Sequence, residues 1–259
     1  MQQKANPNQR RVLASVVRFI KNADIRLSRP SEMDEKRKWC QQNNNEMSWS
    51  GFWQVPWRRW YLVISVVTLV IANYCFAEVF VFVANRHGAV LFDPVLALFD
   101  PIDNSVAISL VLYSSMGLYF SDQLFRPRAL LAGNHSLFLV ISIRAITLLL
   151  TPLEAPPKVI PLGDPVLRLL FHTSTDYTKD LFFSGHTATT TLMCLNARGW
   201  RRNVLLLSTL LVATGVLLQH AHYTVDVVGA PFIAFTCYKI AVWFDAIMPY
   251  KVCSKVCIH

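Results

Sequence analysis

The chain has 259 residues, 53% of them in the broad apolar set and 16% charged, against roughly 25% charged in a soluble globular domain. That balance excludes a water-soluble single domain and a disordered chain. Apolar runs of about 20 residues, each long enough to cross a hydrocarbon layer of roughly 30 Å, recur along the sequence and exclude a single-anchor protein. Of the net charge of +9, residues 1 to 59 carry +7, with 12 of the 25 Lys and Arg against 5 of the 16 acids. A basic stretch directly before a membrane span faces anionic lipid and sets orientation, which weighs against nucleic acid as a partner. The six cysteines lie at Cys40, Cys75, Cys194, Cys237, Cys253 and Cys257, with no CxxC pair and no histidine at zinc spacing.

In chain order, residues 1 to 59 read as a cytoplasmic basic segment and linker. From Gln9 to Ser28 a stripe of Val12, Leu13, Val16, Val17, Phe19 and Ile20 is flanked by Arg10, Arg11, Arg18 and Lys21, the pattern of a short interfacial amphipathic helix. A polar linker, Ser31 to Met47, leads to Trp49, Trp53, Trp57 and Trp60 with Arg58 and Arg59, an aromatic and cationic anchor at headgroup level. Residues 60 to 244 then predict an all-α bundle of six spans. These run near Trp60 to Ala84, Asn104 to Phe120, Ala129 to Pro152, Leu181 to Ala197, Asn203 to Ala221 and Tyr223 to Phe244. Residues 245 to 259 form a cytoplasmic tail. Arg126 and Arg128, then Arg198, Arg201 and Arg202, follow the even-numbered spans, and Lys251 and Lys255 lie in the tail. Asp93, Asp100, Asp103, Glu154, Asp164, Asp176 and Asp180 follow the odd-numbered ones. Both termini should therefore be cytoplasmic.

Two polar constellations interrupt the apolar chain: SGHT at Ser184 to Thr187, and HAHYTVDVV from His220 to Val228. In this topology both open a span at the non-cytoplasmic face. His222 and Asp226 are four residues apart, so on a helix the carboxylate can orient the imidazole and stabilise its charged form. His186 supplies a second imidazole near the same surface. Two histidines and an aspartate suit phosphoryl transfer without a metal: one imidazole attacks phosphorus, and the other protonates the leaving alkoxide. A histidine near an interface is ordinarily a packing residue, but ionisable groups at this depth are costly and usually functional.

SGHT preceded by Asp180 and followed after one span by HAHYTVDVV resembles the sphingomyelin synthase group of the lipid phosphatase superfamily. The resemblance runs from about Arg144 to Phe244, and Arg144, Thr147 and Thr151 in RAITLLLTPLEAP are similar to its third-span pattern. It implies a six-span bundle that moves a phospholipid headgroup onto another lipid's hydroxyl through a phosphohistidine, with no cofactor. It also implies His222 as nucleophile, Asp226 as its orienting acid and His186 as acid then base. Arg144, Asp180, Ser184, Gly185 and Tyr223 are the candidate substrate-binding residues; Tyr223 is of a type that stacks on a quaternary ammonium. Ordinary members of the superfamily carry a lysine before an Arg-Pro pair and an arginine before the nucleophile. Here Tyr119 stands where that lysine would precede Arg126-Pro127, and Val216 takes the arginine's place. Fewer cations favour a phosphodiester with one charge over a phosphomonoester with two.

The expected partners are the membrane, a phospholipid donor such as phosphatidylcholine and a lipid-alcohol acceptor such as ceramide or diacylglycerol; self-association into a homo-oligomer is compatible with the sequence. Hydrolysis by the same site and a non-catalytic lipid carrier are the competing expectations. The site would face the Golgi or endoplasmic reticulum lumen or the cell exterior in a eukaryote, and the outer side of the inner membrane in a bacterium.

Overall fold

The computed structural model describes residues 49–54, 56–161 and 181–247. The amphipathic segment, the linker, Asp164, Asp176, Asp180 and the tail beyond residue 247 lie outside the described residues. Seven α-helices are found among those described: α1 (Trp49–Trp53), α2 (Pro56–Ala84), α3 (Ser105–Gln123), α4 (Pro127–Leu150), α5 (Gly185–Asn196), α6 (Trp200–Leu218) and α7 (Thr224–Ile247). A single 3-10 turn, Leu96–Leu98, lies between α2 and α3.

Local sequence explains several of the boundaries. Proline opens both α2 and α4, where its missing N–H has no helical partner to lose. Gly199 precedes α6 with a positive φ of 58°, a conformation open to a residue without Cβ. At the far end of α2, the Arg86 guanidinium donates to the carbonyls of Leu148 (2.7 Å) and Leu149 (2.8 Å), satisfying the last turn of α4.

Six helices occupy the positions expected of six spans, but four of them, α2, α4, α6 and α7 to Asp245, are long and apolar enough to cross a membrane. The other two differ for separate reasons. The 19 residues of α3 include five polar or charged ones among its buried positions, namely Ser109, Ser115, Asp122, Gln123 and the hydroxyl-bearing Tyr119. With 12 residues, α5 reaches about 18 Å at 1.5 Å per residue, well short of a roughly 30 Å core. Enclosure by α3, α4, α6 and α7 explains how α5 tolerates this length and its four threonines, Thr187 and Thr189 to Thr191, since a helix shielded from lipid need be neither long nor wholly apolar. In contrast, 11% of the most apolar stretch of α2 is buried, and Val63, Val67, Val70, Ile71 and Phe82 point outward. An exposed apolar face of that extent suits lipid rather than water.

The core beneath the enclosed helix is made of small side chains. Ala188 on α5 meets Ala230, Ala234 and Cys237 on α7, all at 0% exposure, together with Val140 of α4 and Phe183. Small residues let the helix backbones approach closely, the usual route to association where lipid removes the hydrophobic drive. Gly215 does the same between α6 and α3: a Cβ there would lie 2.7 Å from Ile108 Cγ1.

At the end of the bundle where α5 and α7 begin, three loops are tied together. The backbone of Ala89 bonds to Pro152 and Glu154 (2.9 Å each), linking the α2–α3 loop to the α4–α5 loop. Gly88 allows that approach, since a Cβ would fall 2.6 Å from the Leu153 carbonyl carbon. The Asp93 carboxylate accepts from the Thr224 N–H (2.6 Å) and hydroxyl (3.1 Å) and from Val95 and Leu96, fastening the α2–α3 loop onto the first turn of α7. Burial alone would push the Asp93 carboxyl pKa up, but the bonds from Thr224, Leu96 and Val95 outweigh it and hold the pKa below the ordinary value. Because the folded pKa is lowered, the contribution to stability is present above the unfolded value of about 3.9 and lost as pH falls through the folded one. Asp93→Asn should therefore cost about 1–3 kcal/mol at neutral pH. Its stability should change less than that of the wild type below about pH 4, as read by thermal unfolding in detergent across pH.

Candidate active site

The site is built at the N-terminus of α5. Ser184 is its N-cap, the Oγ accepting from the Thr187 N–H (3.3 Å) and from the Thr187 hydroxyl (3.0 Å), as expected of serine at a helix start. The Ser184 N–H in turn donates to the Asp226 carbonyl oxygen at 3.1 Å. That bond joins the two polar constellations, which are separated in the chain by α6. Residues with positive φ precede both: Phe182 (106°) two residues before Ser184, and His220 (54°) two before His222. Such a conformation is uncommon for a bulky side chain and gathers at functional sites when the surroundings enforce it.

His222 and Asp226 are nearly fully buried, at 4% and 1% exposure, and Nδ1 lies 3.7 Å from Oδ2. At that separation they form an electrostatic contact, and a small closure would bring them to hydrogen-bond distance. The expectation of one shared helix face is corrected in one respect. His222 stands in the turn before α7, which begins at Thr224. The carboxylate reaches back because Asp226 Oδ2 also accepts from the Tyr223 N–H (3.3 Å), folding that turn over the first turn of α7. His186, in the first turn of α5, is partly buried, and its carbonyl accepts from the Thr190 hydroxyl at 3.0 Å.

Arg144 reaches this centre from α4. Its guanidinium lies 5.3 Å from the Phe76 ring centre and directly over Gly185, where a Cβ would fall 1.5 Å from Nη1. Only a residue lacking a side chain leaves that seat open. The first turn of α5 thus brings Ser184, Gly185, His186 and a guanidinium together. Among the described residues, no group of three or more His, Cys, Asp or Glu gathers as metal ligands.

Three other candidates fare differently. Tyr223 is buried (1%), and its hydroxyl accepts from the Leu91 N–H (3.1 Å) and donates to the Glu154 carbonyl (3.0 Å). It therefore clamps two loops, an arrangement that occupies the hydroxyl and encloses the ring against Leu96 and Leu181. Asp180 lies outside the described residues. Tyr119, Arg126 and Pro127 sit at the opposite end of α5: Asn196, its last residue, donates to the Tyr119 hydroxyl (2.9 Å), and Arg126 donates to the Asn196 carbonyl (3.4 Å). The length of α5 therefore separates Tyr119, Arg126 and Pro127 from His186. Val216 is fully buried in apolar packing with Ile108, Val212 and Val227.

Sequence reasoning missed Asp93, which holds the start of α7, and Glu154, whose Oε1 accepts from the Gly88 N–H at 3.2 Å. A signal for the first was present in the repeated Phe-Asp-Pro at residues 92–94 and 99–101, since Asp before Pro favours a turn with a capping carboxylate.

Comparison with known proteins is consistent with this geometry. Residues 179–243, which span α5, α6 and most of α7, match the family described as PAP2 superfamily C-terminal. Neither the curated proteins nor the solved structures contain a match to the chain. The matched stretch includes His186, His222 and Asp226, and it supports a relationship to the lipid phosphatase superfamily, whose members carry out phosphatase and phosphotransferase chemistry.

Proposed function

We propose that the protein is a phospholipid headgroup transferase that moves a phosphocholine or phosphoethanolamine group from a glycerophospholipid to ceramide or a related lipid alcohol. The observation that carries this reading is the Ser184 to Asp226 backbone bond, which ties the helix start bearing His186, beneath the Arg144 guanidinium, to the turn bearing His222 and Asp226. With Nδ1 of His222 turned to Asp226, Nε2 is the free nucleophile. It forms a bond to phosphorus as the bond from phosphorus to the diacylglycerol oxygen breaks, and His186 gives its proton to that oxygen. In the second half, His186 takes the proton of the acceptor hydroxyl, whose oxygen bonds phosphorus as the phosphorus–nitrogen bond breaks. Arg144 balances the phosphodiester charge through both steps.

Two features favour transfer over hydrolysis. The loops at this end are tied together through Ala89, Pro152, Glu154, Tyr223 and Asp93, an order that favours keeping water from a phosphohistidine. The Arg144 guanidinium over Gly185 supplies a positive charge suited to a phosphodiester. The reading sets the site at the non-cytoplasmic face, because Arg126, Arg128, Arg198, Arg201 and Arg202 gather at the other end. The match to the PAP2 superfamily favours a second reading, a lipid phosphatase or phospholipase-C-like hydrolase in which water is the acceptor.

The decisive assay uses purified protein in mixed micelles with headgroup-labelled donors, with and without ceramide or diacylglycerol. Label on the acceptor lipid supports transfer; label released only as free phospho-alcohol overturns it in favour of hydrolysis. His222→Ala and His186→Ala should each lower turnover by roughly 10³-fold or more, and Asp226→Asn by about 10²–10⁴-fold. Gly185→Ala should displace Arg144 and lower kcat/KM about 10²-fold, with folding checked by melting temperature.

A further inference from the structure

The end of the bundle away from His186 carries a second charged cluster. The α3–α4 and α5–α6 tips, residues 121–130 and 196–203, contain five arginines and one acid, Asp122. Both Arg126 and Arg201 converge on that carboxylate, Arg126 Nη1 on Oδ2 and Arg201 Nη1 on Oδ1 at 3.3 Å. Two guanidinium groups around one carboxylate leave a positive charge, and like charges held this close call for a second anion. Both Nε–H groups are buried without a hydrogen-bond acceptor, a costly state for donors on a charged group. Arg201 is not sealed off: a third of its side chain is exposed, and it lies 5.4 Å from the Trp200 ring centre.

Apolar groups surround this cluster. Leu124, Phe125 and Trp200 are exposed by 64%, 77% and 63% at the same two tips. Three large apolar side chains beside uncompensated guanidinium groups fit the boundary between headgroups and acyl chains. Inorganic phosphate could satisfy the charge alone, but it would leave those side chains uncovered.

We propose that Arg126 and Arg201 bind the phosphate of an anionic phospholipid from the leaflet facing this end, with its acyl region against Leu124, Phe125 and Trp200. The phosphate oxygens accept from the guanidinium groups, and the lipid's net negative charge balances the cation that Asp122 leaves over. This site is independent of the catalytic reading, because its ligand is read by binding rather than turnover.

The test is electron spin resonance of the full-length protein in phosphatidylcholine nanodiscs doped with spin-labelled phosphatidylglycerol or spin-labelled phosphatidylcholine. Wild type should retain the anionic label at least about fivefold more strongly, the equivalent of about 1 kcal/mol for one guanidinium. Asp122→Asn/Arg126→Gln/Arg201→Gln, which leaves no lone buried carboxylate, should fall below about twofold by the same conversion. Arg59→Gln, which removes a charge from the same end outside the cluster, should keep the preference. Arg201→Gln leaves the Asp122–Arg126 pair intact and should lose much of the preference even if the triple variant fails to fold. Equal retention of the two labels by wild type, or an unchanged preference in Arg201→Gln, overturns the proposal. So does binding of inorganic phosphate without any preference for the anionic lipid.

Discussion

The geometry of the end of the bundle that carries His186 and His222 depends on one backbone hydrogen bond, from the Ser184 N–H to the Asp226 carbonyl. A helix start leaves several N–H groups without partners, and inside a bundle no bulk water is available to satisfy them. Ser184 meets this demand twice, through its side chain to Thr187 and through its own N–H to α7. The starts of α5 and α7 are thereby fixed to one another, and with them His186 and the His222–Asp226 pair.

The rest of the bundle serves that junction. Ala188, Ala230 and Ala234 let α5 and α7 lie close enough for the bond to form, and Gly185 leaves room for Arg144 from α4. Asp93 and Tyr223 then tie the neighbouring loops to the start of α7. At the other end Asn196 fixes the last turn of α5 to Tyr119 and to the Ala129 carbonyl. With 12 residues, α5 is thus held at both ends by its neighbours.

Much of this was legible in the sequence because polar residues are conspicuous in an apolar chain. The placement of SGHT and HAHYTVDVV at one end followed from counting spans, and the structure joins them. Arg144 was legible through its likeness to the third-span pattern, although its seat over Gly185 depends on three-dimensional packing that spacing does not encode. The place of Tyr119 was hidden for a similar reason: a motif aligned along the chain carries no information about which end of a neighbouring helix it meets. Tyr223 reads as an aromatic available to a headgroup until its hydroxyl is seen between two backbone groups. The length of α5 was hidden because hydropathy reports the run of apolar residues and not whether a helix is shielded from lipid.

The central claim is that His222 carries the headgroup between donor and acceptor. Rapid quenching of the enzyme with a headgroup-labelled donor and no acceptor, followed by digestion and mass spectrometry under alkaline conditions, tests it directly. The account predicts an acid-labile, alkali-stable phosphoramidate on His222 that disappears when ceramide or diacylglycerol is added. Label on His186 instead, or continued turnover with no histidine adduct at any time, would contradict it.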